Sequence, residues 1–364
     1  MYTNFLTKYH PDNTGRTDVS NKLQEAINNE RFLYIPAGIY RLDKTVQINK
    51  PISIKGDFPI YNVNKKKEGT WLHFNHNRKG IEHNALRSGT IWGIELKDLG
   101  FFRNQPTPRA NWQPNDADYD LYLFGVSDTY LSRLFFLNAT KGIKVTSKLP
   151  IAASGRVFID DVKGHFFKEG INIESAYDVC RISDFHAWPF WADNRYVHEY
   201  TLNHLKAIRT GRNDNPMFEN IFTIFAHTGL EFYNAPEGIT SKLKLSNIDF
   251  DRGTIGIHVN NVNYVTCMAT AISTQCEVEY GNGKYVQNGL RIDGDYNSLQ
   301  LTSFEPRLTR NAILVNGNSN QLYLASYRSV AFDYYHEGYA EVQLNGKYND
   351  VRASGSLIQV VEKH

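Results

Sequence analysis

The chain has 364 residues, with 40 basic and 38 acidic side chains and a net charge of +2 that is spread without long runs of one sign. That balance argues against electrostatic capture of nucleic acid or of an anionic membrane, and points to a neutral or mildly charged partner. Three cysteines, Cys180, Cys267 and Cys276, cannot all pair within the chain and fit no zinc spacing, no apolar run approaches the ~20 residues that span a bilayer, and the first residues lack the pattern of a signal peptide. No disulfide framework, metal, cofactor or membrane insertion is expected.

In chain order, the first element is a helix in "SNKLQEAINNE", where Ser20 can cap and Leu23, Ala26 and Ile27 form an apolar stripe. It is the one convincing helix in the sequence. The high content of 22 Tyr and 21 Phe, with many Asn and Gly, suits short strands thereafter.

Those strands repeat. One column is a polar residue followed by in-out alternation: "DLGFF" from 98, "RLFFL" from 133, "DVKGH" from 161, "DFHAW" from 184, "NIFTI" from 220, "NIDFD" from 247 and "SFEPR" from 303. A second is a small residue with apolars: "GIKV" from 142, "GINI" from 170, "GLEF" from 229, "GIHV" from 256, "GLRI" from 289 and "AILV" from 312. Starts at 133, 161, 220, 247 and 303 are each followed nine residues later by the second column. A coil of short strands with a fixed internal offset is the pattern of a parallel β-helix. An ordinary β-sandwich would show hairpin turns instead. Glycine in the second column fits a turn with positive φ, and the helix is suited to covering the open end of the first coil.

The segment "DNTGRTDVSNKLQEAINNERFLYIPAGIYRL" resembles the N-terminal cap of pectate-lyase-like right-handed β-helices, in particular those of bacteriophage tailspike depolymerases. Thr17-Asp18, Ala26-Ile27 and Pro36-Ala37-Gly38-Ile39-Tyr40 carry the match, with "DNTG" in place of the usual Gly-Asp-Gly opening. The resemblance implies an all-β, single-stranded parallel β-helix, action on a bacterial surface polysaccharide from a virion tail, and a side-by-side homotrimer. The expected organisation is a cap (1–50), a β-helix (51–330) with insertions near 103–120 and 189–217, and a C-terminal β segment (331–364) suited to stabilising a trimer.

Alternation places positions one and three after each polar residue inside, and positions two and four outside. In "HAWPFW", His186 and Trp188 therefore point outward, Pro189 ends the ladder, and Phe190 and Trp191 enter the longest gap. These rings form a shelf on which a sugar could stack, or else anchor the 192–217 insertion. The same outward column holds Phe102, Phe135, Leu137, Phe222 and Ile224, which suit a lateral contact between chains, then Asp249 and Asp251, then Glu305 and Arg307.

Asp249 and Asp251, two along one strand and ~6.6 Å apart, match the wide carboxylate spacing of an inverting glycosidase, with one as acid and one as base. The second column offers a rival pair, Glu174 and Glu231, beside Tyr233 and His258. The sequence does not choose between the columns. "NDADYD" reads as a solvated loop, because Leu121 stands where a calcium loop needs Gly.

Three functions follow. The first is hydrolysis of a capsule, O-antigen or exopolysaccharide. The second is polysaccharide β-elimination, with His186, His258 or Tyr233 as base and Arg291 or Arg307 as the neutralising cation. The third is glycan adhesion without catalysis.

Overall fold

The computed structural model describes residues 1–276, 287–329, 341–354 and 360–362. Short strands pair in parallel with their equivalents one coil later and join into one continuous system, with three strands to a coil. Three parallel sheets therefore run along a β-helix. One rung series of the first sheet is Phe158, Arg181, Met217, Lys244, Met268, Gln300, Tyr323 and Arg352. In the second it is Phe135, Lys163, His186, Phe222, Asp249, Ser273 and Glu305. In the third it is Lys144, Asn172, Arg209, Glu231, His258 and Arg291.

The polar residue of the first column is the corner between the first and second sheets. Arg133, Asp161, Asp184, Asn220 and Asn247 all have φ between 49° and 54°, a left-handed bend that Asp and Asn tolerate because their side chains bond locally. The nine-residue offset is the length of one second-sheet strand plus its turn into the third sheet.

The column glycines stand there for a different reason from the one expected. Gly142, Gly170, Gly229, Gly256 and Gly289 are absent from the positive-φ residues. They are glycine because neighbours leave no room: a Cβ at Gly229 would lie 2.3 Å from Cγ of Phe250, and one at Gly170 would lie 2.4 Å from the Ala207 carbonyl oxygen.

α1 (Phe5–Tyr9) and α2 (Ser20–Asn29) form the cap. Leu23, Ala26 and Ile27 of α2 are buried as the stripe requires. Ser20 does not cap the helix; its backbone N–H is instead held by the Asp18 carboxylate at 2.9 Å, and its hydroxyl accepts from the N–H groups of Asp43 and Lys44. Two further helices appear, α3 (Ala85–Ser88) and α4 (Arg195–His204). Helix α4 escapes a hydrophobicity reading because its buried face mixes Val197 and Leu202 with His198 and Thr201.

Inside the coils the apolar positions form one long core. Phe74, Phe101, Phe136, Phe166 and Phe185 stack along it with successive centroids 4.9–5.8 Å apart. Each such ring fixes the coil above it, and truncating one to Ala costs about 3–5 kcal/mol.

The stack does not end at residue 330. Val342–Leu344 and Asp350–Ala353 continue the third and first sheets on the same registers, so the described part of the C-terminal segment consists of further coils. Residues 331–340, 355–359 and 363–364 of that segment lie outside the described residues. The "NDADYD" stretch is not a solvated loop throughout, because Asp120 is fully buried against Arg103 at 2.6 Å.

Candidate active site

The second sheet presents His186, Trp188, Phe222, Asp249 and Asp251 outward on three consecutive rungs, and Glu305 and Arg307 two rungs further on, as alternation requires, while Phe185 and Ala187 are core. Ser273 and Gln275 occupy the rung between Asp249 and Glu305. The sequence hides that rung, because its corner residue is Ala271 rather than a polar one.

The ring shelf divides in two. Trp188 is 41% exposed and lies 6.2 Å from Phe222, and His186 meets Phe222 edge-on at 5.2 Å. Phe190 and Trp191 are instead partly buried against other segments, although Phe190 also meets His186 edge-on at 5.5 Å. Phe190 packs on Phe135 at 5.1 Å, and Trp191 packs against Trp112 and Phe167 at 5.9 and 5.8 Å. They anchor the excursion that carries α4, and α4 in turn sets Leu202 against Ile224 and Phe225. This folding-back corrects the expectation for three of the five residues in the lower, apolar part of the column, while Phe102 and Phe222 stay partly exposed. Phe135, Leu137 and Ile224 are already buried by their own chain, under Trp71, Phe190 and Trp191 on one side and α4 on the other. They are not available for a lateral contact.

Beside the exposed part of the shelf is the carboxylate pair. Burial raises the Asp249 carboxyl above its ordinary value, opposed by a hydrogen bond from Ser273 and the charge of Arg307. Asp251 follows two residues on along the same strand, ~6.6 Å away by strand geometry, and is partly exposed. Arg307 donates through Nε to Glu305 at 2.7 Å, which closes the upper end of the face with an ion pair.

The rival pair lies on the outer face of the third sheet, in a dense ionic network. Glu231 is fully buried, accepts from Arg209 Nε at 2.5 Å and from Asn260 at 2.9 Å, and is paired with Lys206. Burial opposes its ionisation, but Arg209 and Lys206 outweigh that and hold its carboxyl below the ordinary value. Glu174 is held low in the same way by Lys144 at 2.9 Å and by hydrogen bonds from Tyr233 and Thr146. Tyr233 is raised, first by burial and then by the Glu174 charge. His258 bonds Asp293 at 2.8 Å, and Arg291 bonds the same carboxylate at 2.9 Å. The rung between Asn172 and Glu231 is Arg209. It comes from "KAIRT", where Thr210 stands at the last apolar position of the column and α4 occupies the place nine residues upstream where a corner would fall, so a coil within the expected insertion is concealed.

The two faces thus differ chemically. An acid/base pair needs one carboxyl kept protonated and one ionised. Environments on the third sheet push both glutamates the same way, towards ionisation, whereas on the second sheet Asp249 is pushed towards the protonated form. Ion-pair networks that only stabilise structure perturb carboxylates as the third face does.

With fold and faces defined, the chain can be set beside known proteins. Residues 2–100 match the family model described as rhamnogalacturonase A/epimerase, pectate lyase-like. No curated protein matches the sequence. Among solved structures, DFA-IIIase from Arthrobacter chlorophenolicus A6 in complex with DFA-III superposes with a TM-score of 0.62 at 10% identity, over 96% of this chain and 92% of that one. The catalytic unit of the GH87 α-1,3-glucanase from Streptomyces thermodiastaticus strain HF3-3 gives 0.58 at 12% identity, over 99% and 69%. The N-terminal fragment of gene product 12 of bacteriophage Phi29 gives 0.55 at 12% identity, over 98% and 71%. At these identities the likeness is one of fold: the chain is a parallel β-helix, and its first hundred residues are similar to the pectate-lyase-like family model.

Proposed function

We propose that the chain hydrolyses glycosidic bonds in a bacterial surface polysaccharide, with Asp249 as general acid and Asp251 as general base, acting at the bacterial surface as part of a virion tail. The observation that carries this reading is the half-buried Asp249 carboxyl, raised by burial, standing two residues from Asp251 and one rung from the Phe222–Trp188 rings. The acid protonates the leaving oxygen, the base activates a water on the opposite side of the ring, and the rings hold the sugar by its apolar face. A glucanase and a phage gene product among the structural neighbours support a glycan substrate and a phage setting, and the tail rests on the tailspike resemblance. The homotrimer belongs to this proposal through the tailspike resemblance alone.

Elimination is the weaker reading. Arg291 and Arg307, which would have to neutralise a uronate, are both paired with carboxylates. Digestion of purified capsular, O-antigen and exopolysaccharides tests the choice. New reducing ends without ultraviolet-absorbing unsaturated products are expected. Unsaturated products would overturn hydrolysis, and intact polymer throughout would favour an adhesin.

A further inference from the structure

The outer face of the first sheet, a different face from the one bearing Asp249, is hollowed over its later coils. Two open hollows of about 420 and 290 Å³ share Gln300 and run from Lys244 to Arg352. Their common floor is the register series Lys244, Met268, Gln300, Tyr323 and Arg352. Four inter-strand steps give it a length of ~19 Å.

The lining suits a hydroxyl-rich chain. Glu219 and Lys244 in one hollow, and Asp350 and Arg352 in the other, balance in charge, and between them lie amides, hydroxyls, the thioether of Met268 and the ring of Tyr323. A polyanion finds no net positive field here. The Tyr323 ring and Met268 are about half exposed.

The corner leading into this sheet adds a second, independent observation. Tyr264 and Tyr296 stack there on adjacent coils, centroids 5.2 Å apart and 7° from parallel, and are 61% and 53% exposed. Both have left-handed backbones, φ 63° and 57°, and Tyr348 further along has φ 59°. A bulky residue is strained in that region, where Gly or Asn would sit without cost. Ser319 holds the same corner with φ 55° between Tyr296 and Tyr348, so the bend belongs to the coil; what sets Tyr264 and Tyr296 apart is that a position needing no large side chain carries two stacked rings that stand more than half in solvent.

We infer that this face is a second glycan-binding groove, in which an extended neutral oligosaccharide lies along the floor from Lys244 to Arg352 and stacks on Tyr323 and on the Tyr264–Tyr296 ledge. Amphipathic tyrosine rings accept the apolar face of a sugar while amides and hydroxyls meet its hydroxyls. The groove does not depend on the Asp249 chemistry, and would keep the polymer on the solenoid between cleavage events.

The test uses the fluorescently labelled full chain on a microarray of neutral bacterial capsular and wall polysaccharides, with Asp249→Asn as background so that bound polymer survives. Binding should fall at least tenfold in Tyr323→Ala and in the Tyr264→Gly/Tyr296→Gly double variant, and persist in Leu86→Ala, an exposed position on α3. The glycine pair relieves backbone strain, so its melting temperature should be equal to or above that of the parent. Absence of binding to any polymer, or binding unaffected by the tyrosine variants, overturns the groove. So does a melting temperature that drops in the glycine pair while binding holds, since the rings would then be structural. Light scattering that shows a stable oligomer dissociated by Tyr323→Ala assigns the face to a second copy of the chain and overturns it as well. Loss of hydrolysis with the groove's binding intact would instead count against the Asp249 reading alone.

Discussion

Phe222 and Asp249 are register partners on adjacent coils, so a half-buried carboxyl raised by its surroundings stands next to a ring that also contacts His186 and Trp188. Apolar neighbours disfavour the charged form of the carboxyl, and in the proposed function the same neighbours are the platform for sugar. Under that proposal, acid strength and substrate position are set by one cluster.

Replacing Asp249 or Asp251 with Asn should lower turnover at least ~100-fold, the usual size of an acid/base contribution. Reducing-end release measures it, and polymer binding should survive. The pH profile gives the sign. Activity needs Asp249 protonated, so it is lost as pH rises through that raised pKa, and it needs Asp251 ionised, so it is lost as pH falls through the pKa of the base. Asp249→Asn should remove the alkaline limb. Near-normal turnover in both Asp variants, with loss in Glu174→Gln, would transfer the chemistry to the third sheet.

The rings should separate by function. Trp188→Ala should raise KM, as expected for loss of ~1–3 kcal/mol of stacking, and leave the melting temperature nearly unchanged, because the ring is 41% exposed. Phe190→Ala and Trp191→Ala should lower the melting temperature instead, since these rings pin the excursion onto Phe135, Trp112 and Phe167. Thermal denaturation alongside steady-state kinetics distinguishes the two outcomes. A Trp188→Ala chain that melts early with normal KM would make all the rings structural.

The repeat was legible because a β-helix writes its geometry along the chain: a corner residue, two inward positions and a close-packed third-sheet entry recur at fixed offsets. Inward and outward assignments for Phe185, His186, Ala187 and Trp188 follow from period two alone. Where a coil used an uncommon residue at a marker position, it vanished. Ala271 at a corner concealed Ser273 and Gln275, and Thr210 in place of an apolar residue, with α4 where the preceding corner would fall, concealed Arg209. What covers an outward residue was not legible at all, because alternation gives direction and not neighbours. Phe135 and Leu137 point outward as predicted and are nonetheless buried, by segments distant in sequence.

The marker positions carry their own prediction. Gly229→Ala should destabilise by ~1–3 kcal/mol through overpacking, since its Cβ would sit 2.3 Å from Phe250. Ala271→Gly should instead stabilise by up to ~1 kcal/mol, because Ala271 holds φ 52° with no side-chain bond to reward it. Denaturant midpoints test both. Opposite signs are expected from two glycine–alanine exchanges, and equal signs would refute the assignment of one position to crowding and the other to backbone strain.

The third-sheet network should reveal itself in acid. Glu231 is held ionised by Arg209 and Lys206 in the folded chain. A carboxyl whose folded pKa lies below its unfolded one stabilises fully above the unfolded value, ~4.3, and that contribution is lost as pH falls through the lower folded value. Wild-type melting temperature should therefore drop steeply on acidification below about pH 4.3, where Glu231, Glu174 and Glu169 all take up protons less readily folded than unfolded. Glu231→Gln should flatten part of that slope. At neutral pH it should cost about 3 kcal/mol, because Arg209 and Lys206 would be left facing a neutral amide in a largely buried site. Melting curves across the pH range, with Glu305→Gln as a more exposed control, decide it. A Glu231→Gln chain with wild-type stability at neutral pH and an unchanged acid slope would remove the structural role of the network and reopen the third face as a catalytic site.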